Sequence, residues 1–308
     1  MTIPEFERAG LTVLERGWLS SNNILFAGDA GSGPVLVDTG YWSHAAQTVA
    51  LVRQVLGDRR LERIVNTHLH SDHCGGNAAL QQAFGCTIDV PAGEASKVDR
   101  WDEAALSFRA TGQHCPRFTR SGSIAPGDAI ALGRSRWQVI ASPGHDAESV
   151  VLHEPELELL ISADALWENG FGIVFSEFEG DDGFGAVQAT LDRLAALRVR
   201  WVIPGHGRPF QDFAGALERA QRRLDGVVAE PARHARHAAK ALIVFRLLAL
   251  QTQSLDALAA WLDSADCIRE AHRQSGARQS YRTWWTELVG ELQAGGAVRV
   301  RDGIVEKT

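Results

Sequence analysis

Much of what would identify other protein classes is missing from this chain of 308 residues. Its four cysteines, Cys74, Cys86, Cys115 and Cys267, form no CxxC pair, and they read as reduced, structural thiols. A chain of this length buries enough core to fold without a disulfide or metal staple. No run approaches the roughly 18 apolar residues of a spanning helix. From Met1 to Gly10 the chain is polar and acidic (Glu5, Glu7), with no basic stretch leading into an apolar one. The reading is no signal peptide, no membrane partner and a cytoplasmic location. There is no basic block, and the formal net charge is −7, which speaks against a nucleic-acid partner. No Gly-x-Ser-x-Gly elbow offers a serine nucleophile, and no repeat or low-complexity tract is present.

What remains is ordinary globular composition, 45% hydrophobic and 22% charged. Short strands are expected at Leu11 to Gly17, Asn23 to Ala27, Val35 to Asp38 and Ile64 to Asn66, with a turn at Gly28 to Pro34. A helix capped by Ser43 should run to Leu56, and another should span Asn77 to Phe84. Residues 92–123 look irregular, in the manner of a binding loop or lid. Strands resume at Trp137 to Ala141, Ser149 to His153, Leu157 to Ser162 and Trp201 to Ile203, with a helix at Phe184 to Leu197. From Asp212 the periodicity turns helical, near 212–229, 233–251, 254–264 and 278–294. The chain closes in a hairpin around Asp302-Gly303. These patterns predict a catalytic domain at 1–211 and a helical, winged-helix-like module at 212–308.

Three histidines and an aspartate, His68, His70, Asp72 and His73, fall within six residues just after a buried strand. Imidazole and carboxylate are the donors that zinc and iron sites use, and one loop can aim several of them at two ions. A merely solvated loop is a poor explanation for such density. His145, Asp164 and His206 each follow a strand as well, as expected of groups gathered at one end of rigid sheets. Taken singly, any of the three reads as structural; beside the first cluster they read as ligands.

The run Thr67-His68-Leu69-His70-Ser71-Asp72-His73 resembles the HxHxDH signature of the metallo-β-lactamase superfamily, and the likeness extends over about residues 10 to 210. It implies an αββα sandwich with two divalent metal ions at one edge, zinc foremost, with iron or manganese as alternatives. By that resemblance His68, His70 and His145 would hold one ion and Asp72, His73 and His206 the other. Asp164 would bridge them, and Asp38 would orient the ligands. His70 stands where the oxygen-reducing diiron branch has Glu, which argues against that chemistry. Cys74 is not at a ligand position and reads as a packed thiol. His44, His114, His153, His234, His237 and His272 lack companions at ligand spacing and read as surface or core.

The expected reaction is attack on an acyl carbon by a water that the two ions activate, with Asp72 binding metal and orienting the nucleophile. The loop through Gly75-Gly76-Asn77 is similar to that of glyoxalase II, which implies a small-molecule thioester substrate. A lactonase or β-lactamase-like activity is the alternative, with Trp42, Trp101, Phe108, Trp167 and Phe171 as candidates for an apolar pocket, although residues so dispersed fit a core better. A third reading makes the chain a metal-dependent regulatory or binding protein. Arg219, Arg222 and Arg223 fit a solvated helix face better than a site for an anionic thiol carrier. The C-terminal helices also offer a face for homo-oligomers.

Overall fold

The computed structural model describes residues 3–28, 32–175 and 182–308; the expected turn at Gly28 to Pro34 falls partly outside them. The central strands form from short, largely apolar runs that are buried on both faces. β1 (Leu11–Leu14), β2 (Asn23–Phe26), β3 (Val35–Val37), β4 (Arg63–Val65), β5 (Thr87–Pro91) and β6 (Gly122–Ile124) form one sheet in that order. β1, β2 and β3 pair antiparallel, while β3 to β6 run parallel. In the second sheet the order is β11 (Trp201–Pro204), β10 (Leu159–Ala163), β9 (Val150–Glu154), β8 (Ser135–Ala141) and β7 (Ala129–Leu132).

Successive side chains point to opposite faces of a strand, and the burial pattern follows that rule. Phe26, Val37, Val65, Trp137, Leu152, Ile161 and Ile203 meet between the sheets. Leu25, Leu36, Ile64 and Ile88 face the other way and pack on the helices Ala45–Leu56 and Asn77–Phe84. On the far side Val151, Leu160 and Val202 pack on the helices Gly183–Ala195 and Phe213–Ala229. The result is the expected αββα sandwich.

Beyond it, the helices Pro231–Leu250, Leu255–Ser264, Asp266–Gln274 and Tyr281–Ala294 enclose a core of their own around Leu242, Leu258, Ile268 and Trp284. A small sheet of β12 (Thr252–Ser254), β14 (Ile304–Lys307) and β13 (Val298–Arg301) completes it, with the hairpin turn at Asp302-Gly303. Among the described residues no helix is long and apolar enough to cross a membrane.

Three local expectations need correction. Ser43 does not cap the second helix; it lies in a 3-10 turn, Trp42–His44, and His44 occupies the cap without a side-chain bond. Residues 92–123 are only partly irregular. They form the helices Ala95–Arg100 and Phe108–Thr111 and strand β6, because Val98, Phe108 and Phe118 are drawn into the core outside the first sheet. The helix Asp266–Gln274 and the strands β7 and β12 have no counterpart among the elements expected from the residue pattern.

Trp137 is fully buried between the sheets, edge-on to Phe26 at 5.5 Å. Trp137→Ala should therefore cost about 3–5 kcal/mol, read as a lowered urea midpoint. A midpoint like that of the parent chain would place the sandwich core elsewhere.

Candidate metal centre

Five strands deliver chemistry to one edge of the sandwich. β3 ends at Asp38, β4 leads into the loop carrying His68, β8 into His145, β10 into Asp164, and β11 into His206. β3 and β4 are parallel, β10 and β11 are parallel, and β8 shares their direction because both it and β10 are antiparallel to β9. A one-turn helix, Ser71–Cys74, then turns Asp72 and His73 toward the same edge.

All seven predicted ligands come together. Donor atoms of His68, His70 and His145 lie within 4.8 Å of one another, as do those of His68, His73 and Asp164, and those of Asp72, His73 and His206. Asp164 sits at the centre, its carboxylate oxygens 3.3 Å from His145 Nε2, 3.4 Å from His73 Nε2 and 3.9 Å from His206 Nε2. His70 Nδ1 and His145 Nε2 stand 2.7 Å apart, and His206 Nε2 is 3.1 Å from Asp72 Oδ2.

The ring orientations are set from behind. His73 donates from Nδ1 to Asp38 at 2.8 Å, and His145 donates from Nδ1 to the Ile173 carbonyl at 2.5 Å. Thr67 donates its hydroxyl to Asp38 at 2.7 Å and is 3.1 Å from His68 Nδ1. Each of these rings thus spends Nδ1 outward and turns Nε2 inward, the arrangement that orients metal-ligating histidines. Asp38 bonds one candidate ligand directly, His73, and reaches His68 through Thr67.

The donor set fits two cations on independent grounds. His68 Nε2 and His73 Nε2 are buried without a hydrogen-bond partner, as is His206 Nδ1. A buried, unsatisfied nitrogen costs about 1–3 kcal/mol, and a cation removes that cost. Burial pushes His68 well below the ordinary histidine range and His145 down to about 4, His70 being the next cause for His145; burial lowers His70 too. Burial thus favours the neutral imidazole at all three, the form that can ligate a metal. Burial opposes the charge on Asp164, but His73 and His206 outweigh it and hold the carboxylate well below its usual range. For Asp72, burial is likewise outweighed, by the bond to His206 and the charge of His73. His73 moves up despite burial because Asp164 and Asp38 flank it.

Backbone conformation contributes as well. Asp38 (φ 56) and Ala163 (φ 45) are left-handed without being glycine, and the pairing of β10 with β11 shifts register between Ile161 and Ala163. Strained positions of this kind persist where the surroundings over-determine them. Two glycines give clearance: a Cβ on Gly172 would stand 2.5 Å from His145 Nδ1, and one on Gly205 would stand 2.2 Å from Asp164 Oδ1.

A cavity of about 770 Å³ opens over the centre, touching His70, Asp72, His145, Asp164 and His206. Of the five aromatic residues considered for a pocket, Trp167 lines it, bonding Asp164 through its indole N–H at 3.2 Å; Phe108 and Phe171 are core. Trp18, Phe175 and Phe245 also line it, and Trp18, 62% exposed, stacks on His206. Nothing in their spacing announced them. His237 lines the cavity too, against the expectation of a bystander, because the helix that carries it folds back over the centre. His44, His114, His153, His234 and His272 stay outside, and Cys74 is a buried thiol 3.7 Å from Cys115. Thr111 and Gln113 are the part of the 92–123 segment that reaches the cavity.

A sequence model described as the Metallo-beta-lactamase superfamily matches residues 16–206. Hydroxyacylglutathione hydrolases from Rhodobacter capsulatus and Rhizobium meliloti (strain 1021) are 34% identical over 180 residues and 39% identical over 138. Those alignments take in 57% and 45% of this chain and 61% and 44% of the relatives. The chain spans about half the length of the curated relatives it matches. A metallo-beta-lactamase family protein from Thermus thermophilus shares the fold at a TM-score of 0.57 and 21% identity, covering 97% of this chain and 99% of that one. A protein crystallised in a di-iron-bound form reaches a TM-score of 0.53 at 28% identity, covering 68% and 97%.

Gly205→Ala should push Asp164 and His73 out of register and lower bound metal per chain at least tenfold under matched loading, with the circular dichroism of the fold retained. Undiminished metal would mean that the Asp164 position is not critical to the site.

Proposed function

Since the chain belongs to the metallo-β-lactamase superfamily, a family of metal-dependent hydrolases, we propose that it uses two metal ions to hydrolyse a small-molecule thioester. The observation that carries the metal half of this reading is the convergence of seven nitrogen and oxygen donors in three groups, with the Nε2 atoms of His68 and His73 buried and without a hydrogen-bond partner. His68, His70 and His145 would hold one ion; Asp72, His73 and His206 would hold the other; Asp164 would belong to both. When bound, such ions lower the pKa of water toward about 7 and polarise a carbonyl. Zinc suits this nitrogen-rich donor set, and the di-iron form of a relative at 28% identity supports iron as the alternative.

The chain's own residues supply the rest. Asp72 stays anionic and fixed by His206, so it can orient the attacking water through a charge-assisted hydrogen bond. Trp18 and Trp167 flank His206 and cover that side of the centre with apolar surface, which strengthens every electrostatic contact beneath. In this reading residues 1–211 form the catalytic unit, and residues 212–308 form a module that closes the cavity. The thioester assignment is supported by the glyoxalase II-like loop and by relatives named hydroxyacylglutathione hydrolase. Cyclic esters are the competing class, favoured by the apolar stretch of cavity wall at Val244, Phe245 and Leu248.

Thioester cleavage should exceed lactone cleavage at least tenfold in kcat/KM, about 1.4 kcal/mol of transition-state preference. The reverse ranking in a panel of thioesters, lactones and β-lactams would sink the thioester reading. Asp164→Ala should abolish turnover and deplete metal; full activity in that variant would refute the proposed site.

A further inference from the structure

We infer that residues 18–22 form a clamp that positions His206 and Asp72, with Asn22 as its central positioning residue. The inference rests on the two-metal reading and names what aims the ligands of one of the two ions.

His206 is aimed differently from the other histidines. Asp38, Ile173 and Thr67 stand against Nδ1 of His73, His145 and His68. His206 Nδ1 is buried and has no hydrogen-bond partner, while its Nε2 lies 3.1 Å from Asp72 Oδ2. Nothing bonded to the back of this ring fixes its direction, so the backbone that carries it and the surfaces beside it must do so. The loop ahead of β2 supplies both restraints. The Trp18 ring stacks on His206 at 5.4 Å with 11° between the planes, and Trp167 meets the same ring edge-on at 5.5 Å. The backbone restraint comes from Asn22.

Asn22 is buried, and its side-chain amide is fully engaged. The amide nitrogen donates to the carbonyls of Pro204 at 2.9 Å and Gly207 at 2.7 Å, and Oδ1 accepts from the Arg16 backbone N–H at 2.9 Å. Only one orientation of the amide satisfies all three partners, so the network fixes it. The backbone N–H of Asn22 donates to the Gly205 carbonyl at 2.6 Å. One residue therefore holds the turn on both sides of His206, from 182 and 185 positions away in sequence. Its neighbour Ser21 donates its backbone N–H to the Asp72 carbonyl at 2.9 Å. The segment precedes β2 of the first sheet; Asp72 follows β4 of that sheet, and His206 follows β11 of the second. Two adjacent residues thus tie together the backbones of two ligands that arrive from different sheets. Among the described residues, no hydrogen bond runs from this segment to His68, His70 or His145. Partners that orient metal ligands change affinity about 10–100-fold when lost, so loosening the clamp should release one ion before the other.

Zinc affinity is read by titration against a competing chelator, and anomalous scattering from crystals held at buffered free zinc tells which site is filled. Asn22→Ala removes both bonds that the side chain donates. It should weaken the site of Asp72, His73 and His206 at least tenfold and change the site of His68, His70 and His145 less than threefold. Asn22→Asp keeps the size and the acceptor for Arg16 but loses the two donors; it should weaken the same site, although its added negative charge favours cations. If neither variant folds, Trp18→Ala carries the test, because Trp18 is 62% exposed. That change should weaken the same site at least threefold, and Trp18→Phe, which keeps a ring to stack, less than twofold. Losses shared equally by both sites, or no loss in folded variants, overturn the inference. Hydrogen exchange of the metal-free chain separates it from the two-metal reading. There Asn22→Ala, or Trp18→Ala in its place, should raise exchange of residues 204–208 at least tenfold relative to residues 63–70. A parent chain that binds fewer than two ions yet shows this change loses the two-metal reading and keeps the inference. A parent chain that binds two ions, with variants that keep both, loses the inference alone.

Discussion

Buried lone pairs with nothing to donate to them are the constraint on which this molecule is organised. His68 and His73 are fully buried, their Nε2 atoms are unsatisfied, and the Asp164 carboxylate lies among them. A folded chain avoids such an arrangement unless a cation completes it, because neither the orphaned nitrogens nor a buried anion is stable alone. Asp164 and Asp38 flank His73 and raise its pKa despite burial. The sandwich holds the cluster in place. Strands β3, β4, β8, β10 and β11 fix five backbone positions at one edge, and the left-handed turns at Asp38 and Ala163 redirect the chain as it leaves β3 and β10.

The candidate donors and the wall that faces them come from different stretches of chain. The donors all lie between residues 68 and 206, whereas much of the facing wall comes from the helix Pro231–Leu250. The two parts are joined by specific contacts. The Trp261 indole donates to the Gly112 carbonyl at 2.9 Å, and His234 contacts the Val174 carbonyl at 3.1 Å. Such a division separates the donor cluster, built on the sandwich, from the helix that walls the cavity, as expected when a site is placed on a widely used fold.

The convergence of the candidate donors was legible because the donor chemistry is dense and local. His68 to His73 need only the end of β4 and one helical turn to converge, and short apolar strands before His145, Asp164 and His206 announced where those residues would sit. Two sheets covered by helices followed from short apolar runs mixed with helical segments, and the αββα order from the family resemblance. What stayed hidden depends on which face of a helix meets which neighbour. His237, Lys240 and Val244 have the spacing of any amphipathic helix, and Arg219, Arg222 and Arg223 look alike in sequence although only Arg223 faces the cavity. Ile173 holds His145 from 28 residues away and Gly172 leaves it room, contacts no local pattern encodes. The 92–123 segment reads as polar and irregular because its buried residues, Val98, Phe108 and Phe118, are too widely spaced for a periodic signal.

The account stands or falls on whether these seven side chains hold a pair of cations. X-ray absorption on the purified protein, combined with elemental analysis, measures that directly. The expected result is two metal ions per chain, a first shell of nitrogen and oxygen only, and a metal–metal distance in the ~3.5–4 Å range of paired sites. A chain that binds no metal, or one whose absorption spectrum shows sulfur from Cys74 in the first shell, would contradict it.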